Sequence, residues 1–145
     1  MPAADRLIAE LRADGREEST GAFTLDRDKA REKLRQFQLA DPRRYVLLLV
    51  EAAVLKGATR IDFAIDADDM EMRFDGRPFT ANDFEQIYAS MFTPADTDDL
   101  CARRQLALGL NAVMALHPRW VRIESGDGVA GTALELSSKR PDRIE

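Results

Sequence analysis

Two hydrophobic periods alternate along this chain, and each change of period marks a boundary between elements. Leu7, Ile8 and Leu11 fall at helical spacing within residues 5–13, with Arg6, Glu10 and Arg12 around the rest of the turn. They predict a short amphipathic helix closed by Asp14-Gly15, and the REESTG that follows reads as a connector. Gly21 to Asp26 reads as a short strand, and Asp26 is placed to cap a helix through DRDKAREKLRQFQ that buries Leu34 and Phe37. Asp41-Pro42 opens the next helix, with proline in the first turn, where its missing N–H costs little. Tyr45 to Leu55 is apolar on almost every side, and Lys56-Gly57 closes it with a glycine cap. Such a helix is expected in the middle of the domain.

The period then shortens to two. Ile61, Phe63 and Ile65 alternate with Arg60, Asp62 and Asp66, and Met70, Met72 and Phe74 alternate with Glu71, Arg73 and Asp75. These are two half-buried strands, antiparallel across a tight Ala-Asp-Asp turn. Thr80 caps a helix through ANDFEQIYASMF, Thr93 to Asp99 is a polar, acidic loop, and a helix of about Leu100 to Leu116 stops at His117-Pro118. Trp120 to Glu124 and Thr132 to Leu136 alternate as strands across the glycine-rich SGDGVAG, with Trp120 expected in the core. SSKRPDRIE is charged and contains proline, which reads as a tail or the start of a linker. The order of elements predicts an α+β fold: a helix and connector over 1–20, one domain over 21–138, and a tail over 139–145.

Composition narrows the function classes. A chain of 145 residues with 45% hydrophobic content is long enough for one proper core and short for two. Its net charge of −5 and pI of about 5.0 give no broad positive field, so neither nucleic acid nor an anionic membrane is an expected partner. Arg43-Arg44 and Arg103-Arg104 read as solvated surface pairs. Cys101 is the only cysteine, which excludes an internal disulfide and a cysteine-based zinc site. His117, the only histidine, has no second ligand-like residue near it and reads as a capping or surface group; no metal site is expected. MPAADRLIAEL lacks the basic and apolar regions of a signal peptide, and no apolar run approaches eighteen residues. A cytoplasmic protein is the expectation.

VEAAVLKGATRIDFAID, followed by MRFDGRPFT and then LALGLNAVMAL, resembles the ATPase domain shared by DNA gyrase, the ninety-kilodalton heat-shock chaperones, sensor histidine kinases and the MutL mismatch-repair proteins. The resemblance runs from about Gly21 to Leu136. It implies the Bergerat fold, a two-layer α/β sandwich with a mixed, mostly antiparallel sheet and helices on one face. It also implies ATP and Mg²⁺ as ligands, and three kinds of polar residue to hold them. A glutamate on the first helix activates water, an asparagine one turn later ligates Mg²⁺, and an aspartate in a D-x-G-x-G turn accepts the adenine amino group.

Aligned on Gly57-Ala58-Thr59, the glutamate position of the family falls on Leu48 and the asparagine position on Ala52. Aligned on Gly76 and Thr80, the adenine-reading aspartate falls on Phe74 and the second glycine on Pro78. Leucine takes no proton, alanine binds no cation, and phenylalanine both lacks an acceptor and occupies space an adenine ring would need. Shifting the base to Glu51 breaks the Gly-Ala-Thr match. Shifting the aspartate to Asp75 puts Arg77 and Phe79 where glycines are required. On the phosphate side, Gly109 is the one glycine of the family's helix-start motif, the lid region Thr93 to Arg104 has none, and Thr132 matches the closing Gly-Thr.

Three readings follow. In the first, the chain is a degenerate member of the superfamily with no catalytic residue, acting as a protein-interaction or regulatory module. In the second, a divergent nucleotide-binding or hydrolysing domain uses Asp75, Gly76, Gly109 and Thr132. In the third, the resemblance is accidental and the chain is an unrelated α+β domain. Residues 5–13 are the expected route to a protein partner or a homodimer, with packing on their own domain as the alternative.

Overall fold

A computed structural model of the chain describes residues 29–33, which are helical, and residues 40–145. The expected helix over 5–13, the strand Gly21 to Asp26, and Leu34 and Phe37 lie outside the described residues. The Asp41 side chain accepts from Arg43 N, and Pro42–Arg44 forms a 3-10 turn that runs into helix α1, Tyr45–Leu55. Strands β1, Ile61–Ile65, and β2, Met70–Phe74, form the expected hairpin, closed where Asp66 Oδ1 accepts from Asp68 N and Asp69 N. Helix α2, Ala81–Glu85, starts with a capping box between Thr80 and Asp83. It is shorter than its sequence pattern predicts, because the backbone tightens at Ile87 N to Phe84 O into three-residue spacing and resumes as a 3-10 turn, Ala89–Met91. Helix α3, Asp98–Met114, is capped by the Thr97 hydroxyl. Strands β3, Val121–Gly126, β4, Gly131–Ser137, and β5, Arg140–Ile144, complete the order.

Helices and antiparallel sheets make this an α+β fold, as the sequence predicts. The single mixed sheet is not what the described residues form: β1–β2 is one two-stranded sheet, β3–β4–β5 another, and every pairing is antiparallel. The core lies where α1 and α3 pack together and meet β4. Ala52 of α1, Ala107 and Leu110 of α3, Phe84, Ile87, Leu134 and Leu136 are all buried there. Small residues on both helices bring the two backbones close, so α1 contributes alanines to the core where larger side chains would not fit.

Three expectations are corrected. Helix α1 is not enclosed on all sides, since Leu47 is 57% and Val54 59% exposed, and with Glu51 they form a solvent stripe at four- and seven-residue spacing. Trp120 is 56% exposed rather than core, because Val121 and Ile123 are the β3 residues that pack against the core and period two places Trp120 on the other face. Residues 139–145 are no tail: β5 pairs Leu134 with Ile144 and Ser137 with Arg140. The charges and proline that suggested a linker are what an outer strand carries, where one side needs no ladder partner.

Candidate functional site

The segment that carries the family resemblance forms a junction between the end of α1 and the base of the β1–β2 hairpin. Gly57 N donates to Val54 O at 2.9 Å and Ala58 N to Ala53 O at 3.0 Å, the paired bonds of a Schellman cap. The chain then meets Asp75. Thr59 N and Arg60 N donate to its Oδ1 at 2.7 and 2.9 Å, and the Thr59 hydroxyl donates to its Oδ2 at 2.5 Å. The Thr59 hydroxyl first, then the Arg60 and Thr59 N–H groups, hold the Asp75 carboxyl below the usual carboxylate range. Gly76 follows with φ +109°, and a Cβ there would stand 2.7 Å from the Lys56 carbonyl oxygen. That approach lets Arg77 N donate to the same carbonyl at 2.8 Å, so the turn is bolted to the helix end.

A charged cluster borders this junction. Lys56 is 4% exposed, its Nζ 3.0 Å from Asp99 Oδ1 and 4.8 Å above the centre of the Phe79 ring. Arg77 donates to the same Asp99 oxygen at 3.1 Å and to the Leu55 carbonyl at 2.9 Å. Asp99 stands in the first turn of α3, where the helix dipole favours an anion. The Lys56 hydrogen bond, then that of Arg77, keep its carboxyl below the ordinary range. Two cations therefore converge on one carboxylate, and all three groups tie α1, the hairpin base and α3 together. Arg103, one of the pair expected on the surface, is instead largely buried and bonds Asp83 at 3.4 Å.

The other positions singled out in the sequence do not gather around Asp75. Gly109 is buried in the middle of α3, and a Cβ there would lie 2.9 Å from Leu49 Cδ2 and 3.4 Å from Leu48 Cβ. It serves the α1–α3 contact, not a helix start facing phosphate. Leu48 is part of that same contact, and Ala52 is 1% exposed within the core. Phe74 pairs with Ile61 on β2 and is 39% exposed, and Pro78 is exposed. The Thr132 hydroxyl donates to Glu145 O at 3.0 Å, and Thr132 lines an open groove of about 540 Å³ at the β3–β4 turn that none of Asp75, Gly76 and Gly109 reaches. Asp75 and Gly76 share a turn; Gly109 and Thr132 stand elsewhere.

Sequence reading missed Lys56, Arg77 and Asp99 as a group. Lys56 and Asp99 are 43 positions apart and Arg77 and Asp99 22, so no local spacing links them. The one available signal was position: Lys56 and Arg77 each adjoin a glycine of the resemblance.

The residues that the resemblance aligns with base and metal ligand, Leu48 and Ala52, are apolar and packed; Asp75 accepts three hydrogen bonds from Thr59 and Arg60; and Gly109 faces Leu49. Among the described residues no group of three or more acidic, histidine or cysteine side chains is arranged to hold a metal ion, and no helix is long and apolar enough to cross a membrane. Comparison with protein-family models, with curated proteins and with solved structures finds no match for this chain.

Proposed function

We propose that this chain is a degenerate relative of the gyrase, chaperone, histidine-kinase and MutL ATPase domains, acting as a cytoplasmic protein-interaction or regulatory module without ATP hydrolysis. The observation that carries the reading is the state of Asp75: both carboxylate oxygens are engaged by Thr59 and Arg60, so the residue works as a structural latch. Burial of Ala52 and the seating of Gly109 against Leu48 and Leu49 support it, because packed apolar groups avoid the cost of unpaired polar ones. Its partner is a protein, approached through residues 5–13 and the apolar surface of the domain.

Thermal unfolding with Mg-ATP tests this. A ligand that binds only the folded state adds about 2.7 kcal/mol at a hundredfold excess over Kd, which for a domain of this size raises the midpoint by roughly 5–10 °C. The expected result at millimolar Mg-ATP is no shift. A clear rise, abolished by Asp75→Asn, would overturn the reading in favour of a divergent nucleotide-binding domain.

A further inference from the structure

The β1–β2 hairpin is a sheet of its own, and its polar contacts close on themselves. Among the described residues, every hydrogen bond and ion pair made by residues 60–75 ends within 59–75. Arg60 bonds Asp62, Arg73 bonds Glu71, Asp66 accepts from Asp68 N and Asp69 N, and Asp75 joins the two ends of the hairpin through Thr59 and Arg60. No side chain from Ile61 to Phe74 belongs to the buried core that α1, α3 and β4 form, or to the partly buried apolar residues packed against it. Such a unit is placed by its two connections to the body, and it moves as one piece when those connections yield.

Both connections pass through a glycine in the left-handed region. Gly57 has φ +80° and Gly76 φ +109°. The two cross in contact: a Cβ on Gly76 would stand 2.7 Å from the Lys56 carbonyl oxygen, 3.0 Å from Ala58 N and 3.2 Å from the Gly57 carbonyl carbon. Glycine changes its backbone angles at less cost than any residue with a Cβ, and hinges are short stretches that absorb such changes. Beside this crossing one side chain spans the joint. Arg77 Nη2 donates to the Leu55 carbonyl at 2.9 Å, at the end of α1, and to Asp99 Oδ1 at 3.1 Å, at the start of α3. Lys56 Nζ holds the same Asp99 oxygen at 3.0 Å. The Arg77 side chain is 54% exposed, so its ion pair is of the weak, readily broken kind.

We propose that residues 59–75 are a rigid arm that turns on Gly57 and Gly76, with Arg77 as the clasp that holds it to α1 and α3. The Arg77 N bond to the Lys56 carbonyl, 2.8 Å long, lies at the crossing and keeps the joint together while the arm turns. A five-residue strand is about 17 Å long, so a rotation of roughly 30° carries the far turn of the hairpin through about 9 Å. Released, the arm re-aims the exposed Phe63 and Ile65 relative to α3 while its own strand pairing stays intact. This inference rests on the hairpin and its base and is independent of the proposed loss of ATP chemistry.

Spin-label distances in the full chain test it. Glu51→Cys on α1 and Asp68→Cys in the hairpin turn, both exposed positions, carry the labels, and Cys101→Ala removes the native thiol. The expected result is a narrow distance distribution that becomes at least about twofold broader when Arg77→Ala is added. Hydrogen exchange across Ile61–Phe74 and Asp98–Met114 is expected to stay within about twofold of its value before that change, which separates turning from unfolding. An unchanged width after Arg77→Ala would overturn the clasp, as would a distribution already broad before it. Broadening accompanied by faster exchange through the whole hairpin would overturn the rigid arm, because the hairpin would then melt and not turn.

Discussion

Helix α1 and the β1–β2 hairpin adjoin in sequence and are similarly rich in apolar side chains, yet the structure treats them in opposite ways. The inner side of α1 closes on α3 so that a Cβ at Gly109 would stand 2.9 Å from Leu49 Cδ2, whereas the hairpin leaves Ile65 almost three-quarters exposed. The difference bears on the positions that the proposed relation to the ATPase family aligns with its polar residues. On α1, Leu48 and Ala52, which that proposal aligns with base and metal ligand, serve helix packing. On the hairpin, Phe74, which it aligns with the adenine reader, adds to an open face. One half of that alignment lies in the core, and the other half is exposed surface.

Truncating the core should have the largest effect. Leu110→Ala removes a side chain that is 1% exposed and is expected to cost about 2–5 kcal/mol in urea unfolding. A loss under 1 kcal/mol would mean the helix pair is not the tightly packed side of the comparison. Overfilling the same contact comes next. Gly109→Val drives a branched side chain into Leu48 and Leu49, for an expected cost of about 1–3 kcal/mol. A neutral outcome would point to open space between α1 and α3, as a nucleotide pocket requires.

Acid should act on the junction between the two regions. Asp75 and Asp99 both have carboxyls lowered in the folded state, so the unfolded chain binds more protons and stability rises with pH. Their contribution is complete above the ordinary carboxylate value of about 4 and is lost as pH falls through their lowered folded values. Urea midpoints followed downward from pH 6 should therefore decline, and the decline should be shallower in Asp75→Asn. An identical profile would mean that Asp75 does not latch the hairpin to α1. The smallest effect is expected from Lys56→Met. Replacing the buried cation by an apolar side chain of similar length strands no buried charge, because Asp99 is 56% exposed and keeps Arg77 at 3.1 Å, so the change is expected within about 1 kcal/mol of neutral. A larger loss would give the Lys56–Asp99 pair a dominant part in holding the junction.

Elements governed by local rules were legible in the sequence. The Asp41-Pro42 start, the Gly57 cap, the Thr80 box and the alternation of both hairpins each depend on residues within a few positions of one another, and each is present. Exposure was less legible. The apolar run of α1 does not distinguish its alanine face from its Leu47–Val54 face, since only the placement of α3 makes that choice. The charges of Arg140, Asp142 and Arg143 look the same on a linker as on an outer strand. At the candidate site, the sequence showed which residues are apolar, Leu48, Ala52 and Phe74, but not that the first two pack in the helix contact while Phe74 is exposed. The use of Asp75 by Thr59, and the convergence of Lys56 and Arg77 on Asp99, come from topology and had no signature in spacing.

The side of α1 facing α3 is helix packing, and placing there the polar residues that the ATPase families carry tests that most directly. The double variant Leu48→Glu with Ala52→Asn puts a carboxylate against Gly109 and an amide at a position 1% exposed. Its urea unfolding, measured with and without Mg-ATP, is expected to show a loss of at least about 2 kcal/mol that nucleotide does not recover. Wild-type stability in the variant, rising further with Mg-ATP, would contradict the account and show that the pocket persists.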